Sequence, residues 1–255
     1  MSSPRVWFIT GASTGFGRSL LELLLKNGQA VAATLRKPEV LSELKSQYPG
    51  DKLLVLKVDV SNSADITAAF DKTKQVFGRL DVVFNLNAGY GSVGEAEATP
   101  DNVARGQFDV NFWGAVHVSR AAIAFFREIN RPGVGGTLLQ VSSYVFYDPG
   151  PAFAYYNTSK FGLANMVDVP VHPAYTSPSL ITSVIRKIVP EAVLPGDADK
   201  ATKVIYQLCS DGDDDGLPLR IPLGKDCIGV LRKKVGELTT GVDKVEKYSD
   251  DLLHD

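Results

Sequence analysis

Short apolar runs alternate with longer amphipathic segments along most of the chain. Five of these runs have the length of buried strands, at 5–10, 30–35, 53–58, 80–84 and 136–141. Between them, apolar residues recur at helical spacing, for example at Leu20, Leu21, Leu24 and Leu25. Helices at 62–77, after Thr99-Pro100 and up to Phe126 are predicted in the same way. This alternation predicts an α/β fold with a doubly wound parallel sheet.

The pattern becomes less regular after residue 165. Pro170 and Pro173 end a helix that 161–167 would otherwise continue. Spacing and caps predict helices at 181–190, at 199–208 with Asp197 as N-cap, and at 225–238, a frayed helix at 242–253 and a strand at 219–223. A strand at 181–190 is the alternative. We treat 1–255 as one domain, with a core at 1–165 and a shortened region at 166–255.

Composition and charge narrow the function classes. The formal net charge of -2 gives no reason to expect a nucleic acid or an anionic membrane as partner. Apolar runs fall short of the ~20 residues that span a bilayer, and no signal peptide is recognised. Two cysteines, Cys209 and Cys227, fit a reducing, cytoplasmic location, and three scattered histidines predict no metal site.

A glycine-rich turn joins the first strand to the first helix. The stretch consists of Thr10, Gly11, Ala12, Ser13, Thr14, Gly15, Phe16 and Gly17. Glycines let the backbone approach a pyrophosphate, and the helix N-terminus supplies free N–H groups. Strand, turn and helix together predict a Rossmann-type dinucleotide site, with a ligand-free glycine turn as the alternative.

The second strand ends at two cations, Arg36 and Lys37. In a Rossmann unit an acid near this point binds the adenosine ribose, whereas a basic residue suits a 2′-phosphate. The nearest acid, Glu39, follows Pro38. We therefore predict NADP(H) rather than NAD(H), with Arg36 as phosphate ligand; a solvated strand edge is the alternative.

Tyr156 and Lys160 lie four residues apart in a predicted helix. This spacing puts both side chains on one face, where an ammonium favours the phenolate of the tyrosine. A tyrosine tuned in this way is a general acid or base for carbonyl and alcohol chemistry. Taken alone, the pair also fits a solvated helix face.

The ordered motifs resemble those of the short-chain dehydrogenase/reductase family, in particular fungal-type NADP-dependent members. Besides the glycine turn and the Tyr156–Lys160 pair, the resemblance rests on Asp59-Val60, Asn87-Ala88-Gly89, Asn111, and Ser143 thirteen residues before Tyr156. It covers most of the chain to about residue 165 and the region near the C-terminus. It implies an oxidoreductase that interconverts a carbonyl and an alcohol, and a homodimer or tetramer.

The resemblance also implies residue roles. Tyr156 would be the general acid and base, while Lys160 would lower its pKa and bind the nicotinamide ribose. Ser143 would hold the substrate oxygen, and Asn111 would position a water in a proton relay to Lys160. Asp59 and Val60 would contact the adenine; Asn87, Ala88 and Gly89 would line the cofactor. A strand-end cap is the alternative for Ser143, and a local hydrogen bond is the alternative for Asn111.

Two departures from the family pattern bear on activity. Leu86 separates Asn85 from Asn87, so one of these asparagines would be displaced. Relative to a usual domain of this kind, roughly thirty to forty residues are also expected to be missing after residue 165, including the sixth strand and the nicotinamide loop. Loss of these would weaken the pocket and the usual dimer helix.

Several functions stay open at this stage. The leading one is an NADP(H)-dependent enzyme for a small apolar or aromatic substrate, in secondary metabolism. Aromatic residues around the predicted cleft support such a substrate: Tyr90, Tyr144, Phe146, Tyr147, Phe153 and Tyr155. The alternatives are a catalytically impaired cofactor-binding relative, an unstable truncated product, and an epimerase or dehydratase on the same scaffold.

Overall fold

Five parallel strands form the central sheet of the protein. The computed structural model describes residues 4–86, 91–143, 145, 149–160, 166–168, 197–211 and 221–246. Its strands are β1 (Val6–Thr10), β2 (Ala30–Leu35), β3 (Leu53–Lys57), β4 (Val82–Asn85), β5 (Gly91–Val93), β6 (Thr137–Gln140) and β7 (Met166–Asp168). The sheet order is β3-β2-β1-β4-β6, so the chain crosses over between neighbouring strands. β5 and β7 pair in a separate two-stranded sheet.

Helices connect the strands and cover the sheet. They are α1 (Gly15–Lys26), α2 (Ser42–Gln47), α3 (Ser63–Phe77), α4 (Asp101–Phe108), α5 (Gly114–Glu128), α6 (Ala154–Lys160), α7 (Ala198–Asp211) and α8 (Lys225–Val245). A π-helical turn, Asp109–Trp113, joins α4 to α5. Local sequence sets the ends of α3: Asn62 caps it by accepting a hydrogen bond from the N–H of Ala64, and Gly78 ends it at φ 67°. None of the described helices is long and apolar enough to cross a membrane.

Side chains of β1 alternate between two hydrophobic layers. Trp7 and Ile9 pack on one face with the leucines of α1, and Val6 and Phe8 pack on the other with α3 and α5. All five residues of β1 and all six of β2 are buried. Burial on both faces is why these strands appear as continuous apolar runs in the sequence. The predicted doubly wound parallel α/β fold is confirmed.

The C-terminal helix α7 returns to the beginning of the chain. It packs along α1, and its Cys209 is 7% exposed within the same hydrophobic cluster as Leu20 and Leu24. Ser19 Oγ donates to Asp199 at 2.6 Å, and the Arg5 guanidinium donates to the Cys209 carbonyl. The predicted cap is confirmed, because Asp197 Oδ1 accepts the N–H of Lys200 at 3.0 Å.

Three predicted elements after residue 160 need correction. The helix predicted to run through 167 is wrong at its end, since Met166–Asp168 pairs as a strand with Gly91–Val93, where tertiary pairing overrides local propensity. The strand predicted at 219–223 is wrong for 221–223, which has no regular structure; in the described part of the chain β6 is the sheet edge, so no neighbouring strand is there to extend the sheet. The last helix continues to Val245 because the helical spacing of apolar residues continues. The segment 181–190, with Pro170 and Pro173, lies outside the described residues.

Candidate active site

The glycine-rich turn leaves room for a ligand at the N-terminus of α1. Gly11 and Gly15 have φ of 67° and 53°, which glycine adopts without strain. A Cβ on Gly17 would lie 2.3 Å from the Gly11 carbonyl oxygen, so only glycine permits this close approach. No acidic residue lies in the first turn of α1, and Thr14 makes no side-chain cap. The turn is therefore built like an anion site.

Most of the other predicted residues of the turn surround this helix end. Ser13 and Phe16 are half-buried and Thr14 is exposed. Thr10 differs because it is fully buried at the end of β1 and its hydroxyl donates to Asn85 Oδ1 at 3.0 Å. The side chain of Thr10 thus links β1 to β4. A contact between Thr10 and a ligand would therefore involve its backbone.

Asn85 and Leu86 show how the sequence departure is accommodated. The amide of Asn85 is fully buried and donates to the Gln140 side chain at 2.9 Å and to the Ala115 carbonyl at 3.3 Å. Leu86 packs against the hydrophobic cluster beside Gly17. Asn85 is therefore an internal link between β4, β6 and α5. Asn87, Ala88 and Gly89 lie outside the described residues.

Arg36 and Asp59 follow the carboxyl ends of neighbouring strands. β2 and β3 are in register with Leu35 opposite Lys57, which sets the following residues of both strands at one rim of the sheet. Arg36 is exposed there. Asp59 Oδ1 accepts from both the N–H and the hydroxyl of Ser61, at 3.0 and 2.7 Å, so this carboxylate also shapes its own turn.

Val60 continues the same turn and packs against the start of α5. A Cβ at Gly114 would approach the Val60 side chain and its carbonyl oxygen to 3.0 Å. The turn after β3 is therefore held close to the helix that follows the π-helical turn.

Short backbone and side-chain contacts hold α6, the helix with Tyr156 and Lys160. The N–H of Gly94 donates to the Ala152 carbonyl at 2.8 Å, and Ala152 itself has a φ of 65°. Asn157 donates to the Gly150 carbonyl at 2.8 Å, and the hydroxyl of Tyr155 donates to the Ala96 carbonyl at 3.2 Å. A non-glycine residue at positive φ costs energy that the surrounding contacts must supply. The approach to α6 is thus tightly determined.

Lys160 is buried at the end of α6, with 4% of the residue exposed. Burial lowers its pKa to about 6, because desolvation disfavours the ammonium. Lys160 is therefore mostly uncharged at pH 7, which differs from the ammonium expected from the sequence.

Ser143 and its neighbour Ser142 lie beyond the end of β6. Ser142 Oγ donates to the Lys160 carbonyl at 3.1 Å, which joins this loop to α6. Ser143 Oγ accepts from the Val145 N–H at 3.5 Å, a contact too long to act as a strong cap. The sequence did not single out Ser142, because it precedes the predicted serine without a spacing signal.

Asn111 is fully buried in the π-helical turn. Its Nδ2 donates to Ser159 Oγ at 2.9 Å, a partner 48 residues away in sequence. This contact reaches another helix, α6. Single π-helical turns inside α-helices occur often at functional sites. Among the described residues, no group of three histidines, cysteines or acids could hold a metal ion.

Comparison with known proteins shows a consistent relationship. The model of the short chain dehydrogenase family matches residues 5–176. An uncharacterized oxidoreductase of Schizosaccharomyces pombe is 39% identical over 158 residues, which are 62% of this chain and 51% of that protein. The chain therefore spans about half the length of this relative.

Two further matches extend over nearly the whole chain. The oxidoreductase calM of Penicillium decumbens is 27% identical over 294 aligned positions, covering 100% of this chain and 95% of that protein. A solved short-chain dehydrogenase from Streptomyces avermitilis superposes with a TM-score of 0.82 at 26% identity and covers 98% of both chains.

Proposed function

The chain belongs to the short-chain dehydrogenase family, and we propose that it is an NADP(H)-dependent oxidoreductase. It interconverts a carbonyl and a secondary alcohol on a small apolar or aromatic substrate. The observation that carries this proposal is α6, which combines Tyr156 with the buried Lys160 and is joined to Asn111 through Ser159 and to the loop of Ser143 through Ser142.

The residues present fit a dinucleotide cofactor. The Gly17 close approach and the acid-free N-terminus of α1 would hold its pyrophosphate, while exposed Arg36 would bind a 2′-phosphate. Asp59 and Val60 would border the adenine. When bound, the nicotinamide supplies or accepts the hydride.

The proton chemistry falls to Tyr156. In reduction its hydroxyl donates a proton to the substrate oxygen as the carbonyl carbon becomes saturated; in oxidation the phenolate takes the proton back. Ser143 would donate a hydrogen bond to the same oxygen. After oxidation Tyr156 must lose the proton it took from the alcohol, and Lys160, whose pKa burial lowers to about 6, would accept it through the relay in which Asn111 takes part. After reduction the same relay would return a proton to the Tyr156 phenolate.

The aromatic ring next to Tyr156 supports the proposed substrate class. The ring centroids of Phe153 and Tyr156 are 5.6 Å apart. An apolar neighbour at this position suits a flat or apolar carbonyl compound. Tyr90, Tyr144, Phe146 and Tyr147 lie outside the described residues. A homodimer or tetramer, a cytoplasmic location and a role in secondary metabolism stay predictions.

A first experiment tests cofactor choice by thermal unfolding with NADPH and with NADH. NADPH should raise Tm more than NADH, since ligands that bind only the folded state stabilise it. Arg36→Ser should remove most of this preference, whereas Lys45→Ser on the exposed surface of α2 should not. An equal response to both cofactors would contradict the assignment of Arg36.

A second experiment tests the chemistry with a panel of aromatic and aliphatic ketones. Tyr156→Phe should abolish NADPH oxidation yet keep the NADPH-induced rise in Tm, because only the hydroxyl is removed. Tyr206→Phe on α7 is the control: the hydroxyl of Tyr206 accepts a hydrogen bond from Gln29 Nε2 at 3.4 Å, outside the site, so turnover should be retained. Turnover that survives in Tyr156→Phe would refute the general acid role.

A catalytically impaired cofactor-binding relative is the second candidate function. The alignment with calM has 294 positions against 255 residues here, so at least 39 positions (294 − 255) of that alignment have no residue in this chain. This number is in the range of the roughly thirty to forty residues that the family pattern predicts to be missing after residue 165. This candidate predicts an NADPH-induced rise in Tm without hydride transfer to any ketone of the panel.

A further inference from the structure

A chain of buried polar side chains leads from β5 to the predicted proton relay. Its members come from four different elements, and each is at most 3% exposed: Ser92, Gln107, Asn111 and Ser159. Polar groups buried to this extent require hydrogen-bond partners, and an incomplete network would be costly. The hydrogen bonds between them form a continuous path.

The path begins at the backbone N–H of Ser92, which can only donate a hydrogen bond. The backbone N–H of Ser92 donates to Gln107 Oε1 at 2.9 Å, and the Ser92 hydroxyl also donates to this oxygen at 3.0 Å. A backbone N–H is never an acceptor, so the amide oxygen of Gln107 must face Ser92. The amide nitrogen of Gln107 then faces Ser159 and donates to its Oγ at 3.3 Å.

The hydroxyl of Ser159 is fully used in this arrangement. It donates to the Tyr156 carbonyl at 3.1 Å and accepts from Gln107 and from Asn111 Nδ2, the latter at 2.9 Å. A serine hydroxyl has one hydrogen and two lone pairs. Were the Asn111 amide reversed, its oxygen would face a hydroxyl whose hydrogen is already donated elsewhere.

We propose that Gln107 and Ser159 are positioning residues that fix the orientation of the Asn111 amide and the backbone of Tyr156. The directions of the hydrogen bonds in the path are set by the Ser92 backbone N–H at one end and by the Tyr156 carbonyl at the other. The Ser159 hydroxyl thereby fixes the position of Asn111 relative to the backbone of Tyr156. This inference rests on the proposed function for its catalytic consequence, and on the contacts above for its structural part.

The kinetic test compares Ser159→Ala with Thr158→Ala. Thr158 is exposed on the same helix, and its hydroxyl donates only to a local carbonyl, that of Ala154 at 2.7 Å. Ser159→Ala should lower kcat by about 10- to 100-fold, as expected for a small misplacement of a catalytic group, with the KM for NADPH little changed. Ser159→Ala should also change the pH profile of kcat. Thr158→Ala should leave kcat and the KM for NADPH within twofold of the wild type and the pH profile unchanged. Ser159→Thr, which keeps the hydroxyl, should restore part of the rate.

A double variant tests whether Ser159 acts through Asn111. If it does, the losses in kcat of Asn111→Ala and Ser159→Ala should not multiply in the double variant. Because Ser159 also holds the Tyr156 backbone, a small loss beyond that of Asn111→Ala alone is expected. Multiplied losses in kcat would overturn the proposal. Gln107→Met interrupts the same path while leaving Ser159 in place, and should reproduce the effect of Ser159→Ala if that variant does not fold.

A measurement without turnover separates this proposal from the proposed function. In ¹⁵N-labelled protein, the side-chain amide signals of Asn111, assigned by their loss in Asn111→Ala, should shift in Ser159→Ala and Gln107→Met and stay in Thr158→Ala. Unchanged signals in the first two variants would overturn the positioning role. If the signals shift in these two variants but the wild-type protein reduces no ketone, only the proposed function is refuted.

Discussion

Replacing Lys160 with methionine should make the cofactor-free protein more stable and less active. The lysine has an ordinary pKa of 10.5 and a pKa of about 6 in the folded protein, a difference of 4.5 (10.5 − 6). At about 1.4 kcal/mol for each pKa unit, burial of this group costs up to ~6 kcal/mol at pH 6 and ~5 kcal/mol at pH 7. Methionine keeps the length and the apolar stem but needs no desolvation of charge.

The sign of the effect fixes its pH dependence. Between pH 6 and pH 10.5 the unfolded chain binds a proton at Lys160 that the folded protein does not. Stability of the wild type should therefore rise with pH in this window, by about 1.4 kcal/mol per pH unit relative to Lys160→Met. The penalty is complete below pH 6 and vanishes above pH 10.5.

Urea unfolding at pH 6, 7, 8 and 9 without cofactor measures this difference. Lys160→Met should be more stable at every pH, most at pH 6, and should lose ketone reduction. Lys45→Met, which changes an exposed lysine of α2, should follow the wild type. A stability difference that does not vary with pH, or a less stable Lys160→Met at pH 7, would refute this account of the buried lysine.

Three further substitutions test features of the fold. Gly17→Ala should abolish the NADPH-induced rise in Tm because its Cβ would meet the Gly11 carbonyl, whereas Gly50→Ala, where nothing lies within 4 Å, should keep it. Asp197→Ala should lower Tm because it removes the cap of α7, whereas Asp197→Asn should not. Backbone and side-chain hydrogen bonds from Lys200 lower the pKa of the Asp197 carboxylate below its ordinary value of 3.8. The loss of Tm in Asp197→Ala should therefore become smaller as pH falls below 3.8 and the wild-type carboxylate is protonated. Leu20→Ala should cost about 3 kcal/mol in urea unfolding, and no measurable loss would contradict its complete burial.

The sequence predicted the central sheet well because its three inner strands, β1, β2 and β4, are buried on both faces and form continuous apolar runs. The three-residue strands Gly91–Val93 and Met166–Asp168 were missed, since neither carries a long apolar run. Their pairing depends on a contact between distant parts of the chain, which local spacing does not encode.

The candidate site was predictable only in part. Spacing and the family resemblance identified Tyr156, Lys160 and Asn111, and the structure joins their elements around α6. Gln107 and Ser159 could not be found, because a hydrogen bond across 52 residues leaves no periodic signal. The low pKa of Lys160 could not be predicted either. The spacing of residues along a helix predicts which side chains are adjacent, but it does not predict how deeply they are buried.

The packing of α7 on α1 also bears on how the protein is made. The apolar face of α1, with Leu20 and Leu24, is formed by the first tenth of the chain, but part of its cover, around Cys209, comes from beyond residue 197. During synthesis from the N-terminus, this face stays partly uncovered until α7 has left the ribosome. Contacts such as that between Arg5 and Cys209, 204 residues apart, carry a high cost of loop closure and slow folding. A nascent or prematurely ended chain would expose this leucine surface, which makes it the first expected target for chaperones and for aggregation.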